Sequence, residues 1–509
     1  MINFFKLFFL LGFLFFWSGE VLAKNWYLND DSRVGDVYCT AVGTTGGTGL
    51  TPNSPKLFAT GTTKTLKDLI ASALFSPGDV IFLDVMDVQM GSATNGSEIP
   101  FNKTLTIIGA GPTKTILRGN ASAASPALFG TITHSNVIFK NFYCTNWGKA
   151  SSGNASCIEI VANSVDLTGI LFDGFWMDQN IGSAGDGACK IYGTYKISAT
   201  IKNMLSTCND NASYGGGFWI QGNGHRINFT DCYLYNNKRN TSGGAIYILG
   251  ISSADVNTTI VTVDECKFQN NSSYNGYGGA IAVAGAKLVV TNSCFSGNSI
   301  GNSSNFGSAI AGLESSRIQL TNCSFSSNTG GKYGHVSTEY VSSSYVTGSD
   351  PGLGPYELNI DKCSFDNTTS STKCVYFNAS GTFSITNSTF TTAGTNQIYA
   401  PSSSWSLTNS VRSTGINPTY NIAPTTLNLL AASALPTPTC NGSLIGNCTT
   451  TRTIDCTSDN LPPVVKGHDS TYVTNPTCTF TVPSYTAIDL CDLSPTVTSV
   501  PASGTALSS

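Results

Sequence analysis

Ile227-Asn-Phe-Thr-Asp-Cys-Tyr-Leu-Tyr-Asn-Asn237, Val261-Thr-Val-Asp-Glu-Cys-Lys-Phe-Gln-Asn-Asn271, Leu288-Val-Val-Thr-Asn-Ser-Cys-Phe-Ser-Gly-Asn298 and Ile318-Gln-Leu-Thr-Asn-Cys-Ser-Phe-Ser-Ser-Asn328 are one motif written four times. A second motif falls between the rows: Gly243-Gly-Ala-Ile246, Gly278-Gly-Ala-Ile281 and Gly307-Ser-Ala-Ile310. The pair recurs roughly every 27–35 residues, a period that marks a stacked repeat rather than a globular core. Within a row, residues such as Leu320 and Phe325 are expected to face inward while Thr and Ser neighbours face solvent. One such rung cannot bury its apolar side alone. Stacked rungs pair their backbones in parallel and share a continuous core.

The columns then have separate expected roles. Asn237, Asn271, Asn298 and Asn328 stack in register, where their amides bond along the axis. Gly243, Gly278 and Gly307 permit a tight corner. Ala245, Ala280 and Ala309 face in where space is short. Cys232, Cys266, Cys323 and Cys363 share a column, with Cys294 one place off, and are expected to be small buried apolar residues rather than a thiol or metal line.

Weaker copies extend the array both ways. Val137–Cys144, Val165–Phe172 and Ala199–Ser206 precede the clear rows, and Leu358–Phe365, Phe383–Phe390 and Trp405–Ser410 follow. That makes about ten rungs between residues 101 and 415. The fold class is all-β: a right-handed parallel β-helix solenoid with an N-terminal cap over residues 24–100. Inside that cap, Thr65 to Leu74 predicts a short helix with Leu66, Leu69, Ile70 and Ala73 on one face, stopped by Ser76-Pro-Gly-Asp79. A solenoid's first rung exposes core and strand edges, so it requires a cap.

Composition excludes some classes. Charged residues are 11% of the 509, the net charge is −4, and no basic patch stands out, which argues against a nucleic-acid partner. Lys6, the apolar run Leu7 to Trp17 and the small-residue end Val21-Leu22-Ala23 predict a signal peptide over residues 1–23. The expected location is therefore secreted, or the bacterial cell surface or outer membrane. Export permits disulfides. Eleven of the sixteen cysteines precede residue 400, five occupy the tail, and none forms a C-x-x-C pair, so a structural zinc site is not expected.

The order strand, Gly46-Gly-Thr-Gly-Leu-Thr-Pro-Asn-Ser-Pro55, helix and Pro77-Gly-Asp-Val-Ile81 resembles the opening of bacterial β-helix proteins of the pectate-lyase-like superfamily. The Phe-x-x-Asn rows with Gly-Gly-Ala-Ile resemble the repeats of polymorphic outer-membrane proteins of the chlamydial type, which implies a surface-exposed passenger domain with an adhesive role. Residues 416–458, rich in Pro, Thr and Asn, break the period and serve as C-terminal cap and linker. Residues 459–509 resemble the hyalin repeat, an immunoglobulin-like sandwich of extracellular proteins, through Pro462, Cys478 and Asp489 to Cys491. The resemblance implies a Cys478–Cys491 disulfide. The Cys usual after "P-P-V-x" is replaced by Lys466-Gly-His468, and the module ends before its last strands, so the chain looks truncated.

Two functions fit. The first is non-catalytic adhesion or extracellular binding of glycans or surface proteins, with no cofactor, metal or catalytic residue assigned, and membrane association only through attachment outside this chain. The second is a polysaccharide lyase or glycoside hydrolase. Its acids and bases would come from Asp166, Asp173, Asp178, Asp186, Lys190, Asp210, His225, Arg226 and Asp231, with Trp176 available to stack on a sugar ring. It requires Asp173, Asp178, Asp186 and Arg226 to converge in one groove. The Asn-x-Ser/Thr triplets, as at Asn102, Asn154, Asn211, Asn257 and Asn378, are expected to arise by chance in so Asn-, Ser- and Thr-rich a chain.

Overall fold

A computed structural model describes residues 23–412 except 59–63, 91–98, 102, 120–128, 150–156, 183–186, 212–214, 251–258, 340–355, 367–372, 380, 391–396, 401–404 and 409. Past 412 it describes five short strands. The signal peptide, Asp186, Pro462, Cys478 and Cys491 lie outside the described residues. The chain divides into two units, residues 1–438 and 439–509. In the second, Val464–Val465 pairs antiparallel with Ala487–Ile488, and Thr479–Thr481 pairs antiparallel with Ala506–Ser508.

The first unit is a parallel β-solenoid. Its strands form a 25-stranded long sheet, an 11-stranded opposing sheet and a 7-stranded side sheet. Register is strict: Val261 pairs with Leu288, Leu288 with Ile318, and Ile318 with Leu358. Each turn contributes two limbs to the long sheet, as in Ile260–Asp264 and Lys267–Gln269. The side sheet follows with Ser272–Ser273, and the opposing sheet with Ile281–Ala284.

Each row quoted above is therefore two strands, not one. The break lies at a residue with positive φ, and a second such residue follows five positions later. The pairs are Asn141 and Asn146, Gly174 and Gln179, Asn203 and Cys208, Asp231 and Asn236, Glu265 and Asn270, Asn292 and Gly297, and Asn322 and Ser327. A left-handed residue turns the chain without an insertion, and Asn and Gly adopt that conformation at least cost. The corner also explains a parity problem. Leu320 and Phe325 are an odd number of residues apart, yet both are 1% exposed. Asn322 between them resets the alternation. At the second corner Gly297 is required for a local reason: a Cβ there would meet the Asn270 carboxamide oxygen of the preceding turn at 2.2 Å.

The residue after the second corner points inward. Asn180, Asn209, Asn237, Asn271, Asn298 and Asn328 form one buried column. The Nδ2 of Asn237 donates to Oδ1 of Asn271 at 3.0 Å, and that of Asn271 to Oδ1 of Asn298 at 3.0 Å. The second amide hydrogen of Asn271 goes to the Leu234 carbonyl, and its Oδ1 also accepts the Asn237 backbone N–H. Each interior amide is thus fully satisfied away from water, as burial demands. The ladder stops at Asn328, whose Nδ2 lies 3.1 Å from Nδ1 of His335. His335 replaces Ala of the Gly-Gly-Ala motif and takes the place of a further asparagine. Beside the ladder, Phe268, Phe295, Phe325, Phe365 and Phe390 stack with centroids 4.7–5.1 Å apart, near the spacing of neighbouring strands.

The helix expected near residue 65 forms, with one correction. The helix runs Lys64–Ala71 and buries Leu66, Leu69 and Ile70. It ends before Ala73 because Ser72 closes a tight turn onto the Leu69 carbonyl through both its N–H and its hydroxyl, so Ala73 is exposed. Two buried carboxylates hold the cap. Asp79 accepts from Trp26 Nε1 at 2.7 Å, and Asp84 from the backbone N–H groups of Val37, Tyr38 and Cys39.

Two outcomes follow for stability. Asn271→Ala strands two buried donors of Asn237, and should cost roughly 2–6 kcal/mol in chemical denaturation, whereas Asn270→Gly at the left-handed corner should change little. An equal effect of the two substitutions would contradict the ladder. The second outcome concerns pH. Burial pushes His225 and His335 from 6.5 down to about 4. Between those values the unfolded chain binds protons that the folded chain does not, so stability falls as pH drops from about 6.5 to about 4, by up to about 3 kcal/mol per histidine. Denaturant midpoints at pH 7 and pH 5 should show that His335→Asn removes about half of this slope.

Candidate functional site

The charged residues singled out by sequence are mostly engaged in holding the solenoid. Asp173 closes the first limb of its turn, where Lys140 and Lys202 on the turns before and after reach it at 4.0 and 3.4 Å. Its other oxygen accepts from Asn203 Nδ2 at 2.8 Å. The same brace recurs where Asp264 accepts from Asn292, and Asp361 from Asn387. Asp178 closes the second limb, is buried, and accepts from the Tyr143 hydroxyl at 2.5 Å. Asp166 accepts the Lys196 backbone N–H. Burial raises the Asp210 carboxyl while Lys238 and Arg239 oppose the shift. Asp231 is an exposed left-handed corner residue.

His225 and Arg226 belong to a different corner. The His225 ring is fully buried, its Nδ1 accepting from the Ile197 N–H at 3.2 Å and its Nε2 lying 3.1 Å from the Gln221 carbonyl. Burial, with Arg226 adding to it, holds this ring neutral. Arg226 opens its strand, whereas Asp173 closes the equivalent strand two turns earlier. Four residues of strand and two turns of stacking separate the positions, roughly 13 Å along the strand and 10 Å along the axis. Asp178 lies beyond the Gly174 corner. Asp173, Asp178 and Arg226 are thus not brought together in one groove, and Asp186 lies outside the described residues.

Lys190 sits on the outward face of the opposing sheet. Its Nζ is 3.6 Å from Glu159 and packs over the rings of Tyr192 and Trp219 at 4.1 and 4.5 Å. Further along that face Tyr333, Tyr376 and Tyr399 stack, with Lys373 within 4.2–5.3 Å of all three ring centroids. Trp219, Tyr192, Tyr376 and Tyr399 were missed in sequence because they occupy alternate positions of the short strands of the opposing sheet, which read as wholly apolar, and Tyr333 because it precedes its strand, Val336–Glu339.

Among the described residues, the outward side of the first limb is a broad face of part-exposed, mostly polar side chains. There Asn228, Thr262, Val289, Gln319, Asn359, Ser384 and Ser406 form a central column in unbroken register. Thr230, Asp264, Thr291, Thr321, Asp361, Thr386 and Thr408 form the column beside it. All fourteen are exposed or part-exposed.

The cysteine column has a more specific role than small-apolar filling. Each thiol points inward and donates to the carbonyl two residues before it: Cys232 to Thr230, Cys266 to Asp264, Cys323 to Thr321 and Cys363 to Asp361, at 3.1–3.3 Å. Ser293, Ser388 and Ser410 fill the same column and make the same bond. Ser293 Oγ also accepts the Cys266 N–H, and Ser388 Oγ the Cys363 N–H. Burial pushes the Cys266 and Cys363 thiols well up, which keeps them protonated donors rather than metal-binding thiolates. Cys294 is displaced because Ser293 occupies the column in its turn. Cys266→Ser should therefore melt within a degree or two of the parent, while Cys266→Val, which lacks the donor, should melt clearly lower. A Ser variant as damaged as the Val variant would show that volume alone matters.

No family model matches the chain, and no curated protein matches it in sequence. Among solved structures, the A-module of mannuronan C-5 epimerase AlgE6 from Azotobacter vinelandii is similar over 75% of this chain and 97% of that one, at 12% identity and a TM-score of 0.40.

Proposed function

We propose that this chain is an exported β-helix protein of the cell surface or extracellular space that binds extended partners, glycans or surface proteins, without transforming them. The observation that carries it is the outward face of the first limb, seven turns of exposed or part-exposed side chains in unbroken register, all polar but Val289. Its acidic members are tied to neighbouring Thr and Asn, as Asp264 is to Thr291 and Asn292. A flat, repetitive surface suits contact spread over many equivalent points, each weak, that sum along a long ligand. A hydrolase instead needs two free carboxylates held at a fixed short separation. The adhesive role agrees with the likeness of the repeats to polymorphic outer-membrane proteins, and with the hyalin-like residues 459–509, both of which belong to this proposal.

The test combines binding and turnover. Purified protein should bind immobilised glycans or intact cells saturably and leave polysaccharide viscosity unchanged on long incubation. Depolymerisation of an acidic polysaccharide that Asp178→Ala abolishes would overturn the proposal in favour of a lyase or hydrolase.

A further inference from the structure

The open face has a third column at its opposite edge, where each strand of the first limb begins. Arg226, Ile260, Lys287, Arg317 and Glu357 follow one another in register. Lys287 and Arg317 lie directly opposite each other on adjacent strands. Like charges so placed destabilise a sheet. Among the described residues neither forms an ion pair. Glu357, the neighbour of Arg317 in register, forms no ion pair with it among the described residues; its Oε1 accepts from Gln319 at 3.1 Å and Asn359 at 2.5 Å. Arg226 is steadied by the Gly224 and His225 carbonyls at 3.2 and 2.9 Å, which aim the guanidinium without neutralising it. In a chain with so few charges, two adjacent unpaired cations and a third in line are a cost that folding does not require.

The cations are spaced by one and two turns, about 5 and 10 Å along the axis. The column beside them offers amides and hydroxyls, and Asp264 and Asp361 stand at the far edge. We infer that this edge is the track for an anionic glycan strand lying along the solenoid axis. The anions seat on Arg226, Lys287 and Arg317, and the sugar hydroxyls lie over Thr262 and Gln319. The assignment rests on the binding function proposed above and names its ligand class. A nucleic acid fits less well. None of the three columns from residue 198 to 408 carries an aromatic ring on which a base would stack, and a duplex would press its second backbone towards the acidic edge.

The experiment measures equilibrium binding of the full chain to polygalacturonate, dextran sulfate and neutral dextran at low and physiological salt. The variants are Lys287→Gln with Arg317→Gln, and, as a charge-matched control, Lys332→Gln with Lys362→Gln, both exposed and outside the track. The parent should bind one or both polyanions, more weakly at higher salt, and leave neutral dextran unbound. The track variant should lose about tenfold or more in affinity, equal to about 1.4 kcal/mol, while the control keeps parental affinity. The track variant should also melt at or slightly above the parental temperature, because a like-charge contact is gone, so lost binding would not reflect unfolding. Which polyanion binds identifies carboxylate or sulfate as the anion. Equal affinity of parent and track variant overturns the track. Binding to neutral glycans or surface proteins alone overturns the track and leaves the binding function standing. No binding to any glycan, protein or cell overturns both.

Discussion

The structure depends on one constraint: identical positions must recur at the spacing of hydrogen-bonded strands. A buried carboxamide has two donors and an oxygen that accepts two bonds, and a single turn cannot satisfy them all in an apolar core. Stacking at strand spacing does. Asn271 meets Asn237 on one side and Asn298 on the other, and takes two backbone partners besides. A slip of register by one residue would leave every amide of the column unpaired at once. The ladder therefore selects the register as much as it stabilises it, and the stacked phenyl rings beside it add area that holds only in that register.

Much of this was legible in the sequence because columns repeat while their neighbours vary. The Asn, Ala and Gly columns could be assigned roles from residue type and spacing alone. The ladder's outer members could not. Asn180 and Asn209 lie three residues after Met177 and Ser206, where the clear rows carry Leu234 or a Phe, so the row's signature is broken there although the geometry is the same. His335 was illegible for a related reason. Its role as the end of the ladder depends on a residue seven positions earlier, across the side of the turn. The division of each row into two strands was also hidden. A left-handed corner needs no Gly or Pro, and Glu265 or Lys362 takes it without a mark in the sequence.

The cysteine column shows how a correct pattern can carry an incomplete cause. Burial alone would accept Val or Ala at those positions. The serines in the same column show that a donor is what the position selects, because the corner leaves a carbonyl exposed to the core. The displaced Cys294 is then no exception, since Ser293 supplies the donor in that turn.

Function was less legible, and for a physical reason. The repeat is enforced by inward positions, so it is loudest where it says least about partners. Outward positions are free to vary, and acidic residues there caught attention because carboxylates do chemistry. In the structure those carboxylates are largely absorbed by their own turns: Asp173 lies between two lysines, and Asp264 and Asp361 each accept from the asparagine one turn on. A group already neutralised or fully hydrogen-bonded has little left to offer a ligand. The informative residues are those the fold leaves uncompensated. Lys287 and Arg317 oppose one another in strict register, and among the described residues neither forms an ion pair, while Glu357 Oε1 is taken up by Gln319 and Asn359. A like-charge pair across adjacent strands costs stability, so the face an extended anionic partner would meet is marked by its electrostatic cost.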